Sequence, residues 1–263
     1  MATASGTRAS ASGAGDTIVA IHQPNFFPWL GYFDKLARSD VFVFMDNVQF
    51  PKGSWVNRVR LMVNGEARWA TAPVLRSHAS FAPIKDVVID DSRPWRAKLV
   101  RTIELSYGNA PHFEAVFPLI SSLLQNPAPR LAEYNVAAIG SIADLLGLRT
   151  QLLLGSEVGG EGQATQLLVS MVQRVAGTAY LCGAGSTGYQ DDEALEAAGI
   201  HVLRQRFTHP EYPQRAVGPF VPGLSVIDVL MNCGVEATRA FLSTRSGEPA
   251  AAPAGIDGRS TVR

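Results

Sequence analysis

Long apolar runs are missing from this sequence. None of its hydrophobic stretches reaches the ~18–20 residues that a membrane-spanning helix needs, so no span is expected. Net charge is missing as well. The 23 Lys and Arg balance the 23 Asp and Glu, and the cations are scattered rather than blocked. No basic field is therefore available to gather nucleic acid or an anionic membrane, and a nucleic-acid partner is excluded from the reading. Cysteine is scarce: Cys182 and Cys233 make neither a disulfide framework nor a zinc set. The expectation for both is a buried, reduced thiol. HExxH, the Walker lysine motif, GxSxG and Cys-x-x-Cys do not occur, which removes the common zinc-hydrolase, NTPase and serine-hydrolase readings. Apolar content is also missing from the ends. Residues 1–15 (MATASGTRASASGAG) lack the apolar middle of a secretory leader, and the single Arg8 is too little for a transit peptide. Residues 246–263 are linker-like. Both are expected to be disordered tails, leaving residues 16–245 as a single α/β domain with a cytoplasmic location.

The remaining chain has an α/β rhythm. Thr17–His22 (TIVAIH) and Val41–Met45 (VFVFM) are short, apolar and largely β-branched or aromatic, the pattern of buried strands. Pro24 and Pro28 forbid helix immediately after the first. Apolar residues at 30, 33 and 36–37 then give Leu30–Arg38 a helical period. Strand, helix and strand within some thirty residues make a βαβ unit, hence a parallel sheet. Asn64-Gly65, between Val59–Val63 and Ala67–Val74, signals a hairpin. Helical segments over 93–107, 112–125 and 130–147 form a helical insert spanning 93–147. Strands at Thr150–Leu154, Ala179–Cys182 and His201–Gln205 alternate with helices at Gln163–Val175 and Asp191–Ala198. A last helix over Ser225–Cys233 starts on a Ser N-cap with Asp228 at the capping-box position. The fold class expected is α/β: a Rossmann-like parallel sheet with an inserted β-hairpin and a helical segment.

Open α/β sheets bind ligands where strands end and helices begin. The turn after the first strand, His22–Gly31, interleaves His22, Gln23 and Asn25 with Phe26, Phe27 and Trp29. That mixture suits a small polar substrate; alternatively the aromatics simply pack the first helix on the sheet. Asp46, at the end of the second strand, either holds an amine, a ribose hydroxyl or a metal, or caps the next turn. Gln49, Lys52, Asn57 and Arg58 follow; Arg58 or Lys52 would clamp an anion, or be a solvated surface charge. Gly183-Ala-Gly-Ser-Thr-Gly188 has the letters of a dinucleotide fingerprint. The acid expected about twenty residues on is replaced by Gln205 and Arg206, so the stretch is read as a loop presenting Ser186 and Tyr189 rather than as an NAD site. His209, Tyr212 and Gln214 lie in a proline-stiffened loop that is either a pocket wall or a plain connection. Asp228 and Asn232, four apart on one face of the last helix, would point into the same site, with Asp228 as a substrate-binding candidate. No metal ligands are singled out, and any cofactor is unspecified.

The run HQPNFFPWLGYFDKLARSDVFVFMDNVQF resembles the N-terminal signature of the WbqC-like family. The segments YLCGAGSTGYQDDEALEAAGI, HPEYPQ and LSVIDVLMNCG resemble its C-terminal half, so the likeness spans about residues 17–242. It implies a role in surface-polysaccharide or secondary-metabolite biosynthesis, acting on an amino sugar or a nucleotide-linked metabolite. A fainter likeness is to the nucleotidylyltransferase and pantothenate synthetase superfamily, whose HxGH motif opens the first helix. Here Trp29-Leu30-Gly31-Tyr32 stands in that place, keeping Gly31 and replacing both histidines.

Two functions follow. In the first, the chain transfers an acyl or aminoacyl group to an amine of a sugar or small metabolite. His22 is the general base, because an imidazole of ordinary pKa suits that task near neutral pH. Asp46 holds the amine, Asn25 and Gln49 orient the substrate, and Arg58 takes an anionic group. In the second, the chain is a nucleotide or sugar binding module without chemistry, as the two missing histidines suggest.

Overall fold

The β-branched and aromatic runs form five parallel strands. The computed structural model describes residues 15–51, 53–75, 81–183 and 190–242; the expectations for both tails, for Lys52 and for Ser186 and Tyr189 lie outside the described residues. β1 (Ile18–His22), α1 (Leu30–Ala37) and β2 (Val41–Phe44) make the βαβ unit. β3 (Arg58–Val63) and β4 (Glu66–Thr71) follow as an antiparallel pair outside the main sheet. Three helices come next: α2 (Trp95–Tyr107), α3 (Phe113–Leu124) and α4 (Leu131–Leu145). The rhythm resumes with β5 (Gln151–Leu154), α5 (Gly155–Val158), α6 (Thr165–Arg174), β6 (Ala179–Cys182), α7 (Asp192–Ala197), β7 (His201–Arg204) and α8 (Val226–Ala240). The sheet order is β5-β2-β1-β6-β7, every neighbour parallel. Among the described residues no helix is long and apolar enough to cross a membrane.

Alternation along the strands divides the interior in two. Ala20, Phe42, Phe44 and Leu181 face a large core that also takes in α1, the hairpin, α2–α4 and α8. Val19, Ile21, Val41, Val43, Tyr180 and Cys182 face a smaller core closed by Met171 and Val172 of α6 and Leu195 of α7. The first-turn aromatics Phe26 and Phe27 are fully buried in the large core, where each such ring contributes on the order of 2 kcal/mol. Their packing is against Tyr134 and Trp95.

Local chemistry sets the punctuation. Asn64 and Gly65 have φ of 53° and 79°, the two left-handed residues of a two-residue hairpin whose twist matches its strands. Gly65 is also sterically required: a Cβ there would lie 2.5 Å from Val217 Cγ2. The last helix runs past the expected end at Cys233 to Ala240, bending at Gly234 (φ 79°). The expected capping box does not form. Ser225 does accept from Ile227 N at 3.3 Å, but its own backbone N–H donates to Arg60 O, and Asp228 turns elsewhere.

Candidate functional site

The chain leaves β1 to one side of the sheet, through β2 and β5, then crosses to the other, through β6 and β7. The β1/β6 boundary is therefore the switch point, where ligands of open α/β sheets sit. The strands part there. Pairing of β1 with β6 stops at Ala20↔Leu181, while β1–β2 pairing runs on to His22↔Phe44 and β6–β7 pairing to Cys182↔Arg204. His22 and Cys182 lie just beyond the last β1–β6 pair.

His22 is half-buried. Its Nδ1 lies 3.1 Å from Gln23 O, a contact that assigns the proton to Nδ1 and leaves Nε2 as the acceptor. The ring meets Tyr32 edge-on, centroids 4.9 Å apart. Burial, then the charge of Lys35, push the imidazole down to about 4, with the bond to Gln23 opposing. The ordinary value near 6.5 does not hold here, and His22 is neutral at pH 7. Tyr32 OH also donates to Gln23 O, at 3.0 Å. Burial raises this phenol well above its usual range. Lys35 is buried and donates from Nζ to Ile21 O at 2.9 Å. Gln205, just past β7, donates from Nε2 to Gly31 O (2.7 Å) and Asp34 Oδ2 (2.8 Å). Arg204 Nη1 lies 3.8 Å from Cys182 Sγ.

The turn carrying Gln23 and Asn25 is stitched down from several sides, which fixes His22 in place. Asn135 Nδ2 donates to Pro24 O (2.8 Å) and Val56 O (2.7 Å). Phe26 N donates to Trp55 O, Ser225 Oγ to Phe27 O at 2.7 Å, and Val226 N to Pro28 O. Asn25 itself is buried. Gly31 is needed because Trp29 folds over it: a Cβ at 31 would stand 2.1 Å from Trp29 Cζ3. The same indole packs against Phe207 and His209, so His209 lies over the start of α1. Burial, then Arg60, lower the His209 pKa.

The other candidates divide into three groups. Asp46 shares the carboxyl edge of the sheet with His22 but is buried, and its two oxygens accept from Ser156 N and Ser156 Oγ, each at 2.7 Å. It ties the end of β2 to the start of α5. Gln49 bridges to Pro83. Asn57 donates from Nδ2 to Ala72 O at 3.1 Å, while its buried Oδ1 has no partner among the described residues. Arg58 stacks its guanidinium over Trp69, 4.3 Å from the ring centre, and Trp55 lies against the same indole. Tyr212 and Asp228 meet in a separate buried knot. Asp228 Oδ1 accepts from Tyr107 OH and Oδ2 from Tyr212 OH, both at 2.9 Å, and Tyr107 OH accepts from Met62 N at 3.0 Å. Burial raises the Asp228 pKa, and the phenol hydrogen bonds oppose the shift. Gln214 closes its own loop on Val221 through both side-chain atoms. Cys182 is buried and Cys233 partly so.

Lys35, Gln205, Ser156 and Tyr107 were not among the sequence candidates. One signal for Lys35 was present: Asp34-Lys35 is a charged pair inside an otherwise apolar eight-residue helix. Ser156 and Tyr107 carry no local signal, since their partners lie over a hundred residues away.

The WbqC-like protein family matches residues 23–240. A relative of the same length class is the uncharacterized protein Rv1507c of Mycobacterium tuberculosis (strain ATCC 25618 / H37Rv). It is 29% identical over 220 residues, covering 83% of this chain and 95% of that protein. With the family match running from the first turn through α8, the chain belongs to the WbqC-like protein family.

Proposed function

We propose that this chain is a cytoplasmic enzyme of surface-polysaccharide or secondary-metabolite biosynthesis that transfers an acyl or aminoacyl group to an amine of a sugar or small metabolite. The observation that supports this most is His22: a neutral imidazole at the parting of β1 and β6, with Nδ1 turned to Gln23 O. The amine nitrogen adds to the carbonyl carbon of an activated donor, a thioester or an acyl adenylate. The new C–N bond forms as the C–S or C–O bond to the leaving group breaks. The proton lost from nitrogen goes to Nε2 and then to the leaving thiolate or phosphate. An imidazole held down to about 4 is a weak base at neutral pH, so it takes the proton only as the nitrogen becomes strongly acidic on bonding to the carbonyl carbon, and it gives it up readily to the leaving group. Gln23 and Asn25 border the substrate.

The test is mass spectrometry of amine acceptors incubated with acyl thioesters, acyl adenylates and aminoacyl donors. The expected result is an acceptor heavier by the acyl group, formed at least about a hundredfold more slowly by His22→Ala. Undiminished transfer by that variant removes His22 from the chemistry. A second reading, a nucleotide or sugar binding module, is favoured by Trp29 and Tyr32 in place of two histidines and by the engagement of both Asp46 oxygens with Ser156. Ligands that bind and stay intact by mass would support it.

A further inference from the structure

We infer that the parting of β1 and β6 is an oxyanion-binding site anchored by the ammonium of Lys35, and that the small molecule bound there carries a phosphoryl or carboxylate group. Lys35 is only 3% exposed. An ammonium has three N–H donors, and among the described residues its one hydrogen-bond acceptor is Ile21 O. No carboxylate of the described residues pairs with it. The neighbouring Asp34 is directed to Gln205 and lies 3.9 Å from Arg38. Among the described residues the acidic group that supports its charge is the Cys182 thiol, and burial outweighs it. A buried charge so weakly compensated costs energy, and a leucine would fill this place on α1 without that cost.

The position gives the charge a use. Ile21 is the first β1 residue beyond the last β1–β6 pair, so Nζ stands at the point where the sheet opens. The groups facing it are His22 from β1 and Cys182 from β6, with Tyr32 behind the imidazole and Arg204 of β7 behind the thiol. These are donors, a neutral acceptor and a second cation whose other guanidinium nitrogen is paired with the Asp192 carboxylate of α7. A cationic ligand is repelled there, and a neutral sugar leaves the ammonium unpaired. An oxyanion pairs it, as charge-assisted hydrogen bonds require. Burial holds Lys35 down to about 8, against the pull of Cys182. An anion at Nζ reverses part of that shift, so binding near pH 8 takes up protons. The site lies at the same strand ends as the transfer reaction above but does not depend on it, because a module that only binds uses the same contact.

Titration calorimetry on the full chain near pH 8 tests the assignment, with inorganic pyrophosphate, a nucleoside 5′-diphosphate and a short dicarboxylate as probes. Two buffers of different ionisation enthalpy report proton uptake. The expected result is that at least one probe binds with Kd below about 1 mM and takes up protons. The stronger of the phosphate and carboxylate arms names the group. Lys35→Met, which keeps the apolar stem, should weaken that binding by at least about tenfold without lowering Tm. Absence of binding at about 10 mM by all three probes, binding without proton uptake, or equal binding by Lys35→Met would each overturn the site. Should the variant fail to fold, proton uptake by the wild-type chain decides alone. Transfer that persists while oxyanion binding is absent removes this site and leaves the reaction standing; the converse removes the reaction and keeps the site.

Discussion

Two buried charges in this molecule have opposite surroundings. Asp228 is completely enclosed, and each of its oxygens receives a phenol O–H, from Tyr107 and from Tyr212. The carboxylate thereby joins α2, α8, the proline-rich loop and, through Tyr107, the hairpin. Lys35 is nearly as buried, yet holds one main-chain oxygen and borders an opening in the sheet. Both are polar groups in an apolar setting, and both carry pKa values displaced by burial. Burial by itself therefore does not mark a functional group. What separates the two is satisfaction: the first has its partners inside the chain, and the second, among the described residues, has donors left over at the switch point.

The largest expected effect breaks the satisfied member. Asp228→Ala leaves two buried phenols without their acceptor and should cost about 3 kcal/mol in urea unfolding. Lys35→Met should unfold no more easily than the wild type, because it removes a buried charge. Equal losses in the two variants would erase the distinction.

A smaller effect tests His22. Its pKa is about 4 in the folded chain against 6.5 ordinarily. Between those values the unfolded state binds more protons, so stability rises with pH from about 4 to 6.5 and is level above. The full rise attributable to this ring is on the order of 3 kcal/mol, of which about 2 kcal/mol falls between pH 5 and pH 7. His22→Gln should flatten the urea midpoint between pH 5 and pH 7 relative to the wild type. An unchanged slope would mean that the imidazole is not held neutral by its site.

The smallest effect concerns Asp46. If its work is to hold the start of α5, Ser156→Ala should lose about 1 kcal/mol and leave ligand binding alone. A binding defect at full stability would instead return Asp46 to the crevice.

Much of the fold was legible because the signals are local. TIVAIH and VFVFM alternate toward two cores, and Asn64-Gly65 has the φ values a tight hairpin demands. The helical insert also announced itself by its period. Site composition was harder to read. His22 and Gln23 were visible because a polar turn directly follows a buried strand. Lys35 was hidden because its helix has an apolar stripe, which suggests that the intervening residues are solvated. In the fold, seven of the eight residues of α1 are buried, since Gln205 and the strand exits cover the face opposite the stripe. Asp228 was misread for a related reason. Its spacing from Ser225 fits a capping box, but partners 121 and 16 residues away, Tyr107 and Tyr212, claim its carboxylate.

The central claim is that the ammonium of Lys35, which has no carboxylate partner among the described residues, waits just beyond the last β1–β6 pair. With only four lysines in the sequence, 13Cε-lysine NMR can follow Lys35 directly, its signal assigned by loss in Lys35→Met. The account predicts titration near pH 8 in the free chain and a shift toward the ordinary 10.5 on saturation with the tightest oxyanion probe. A Lys35 that titrates at its ordinary value without ligand, or that does not move when the probe binds, would contradict it.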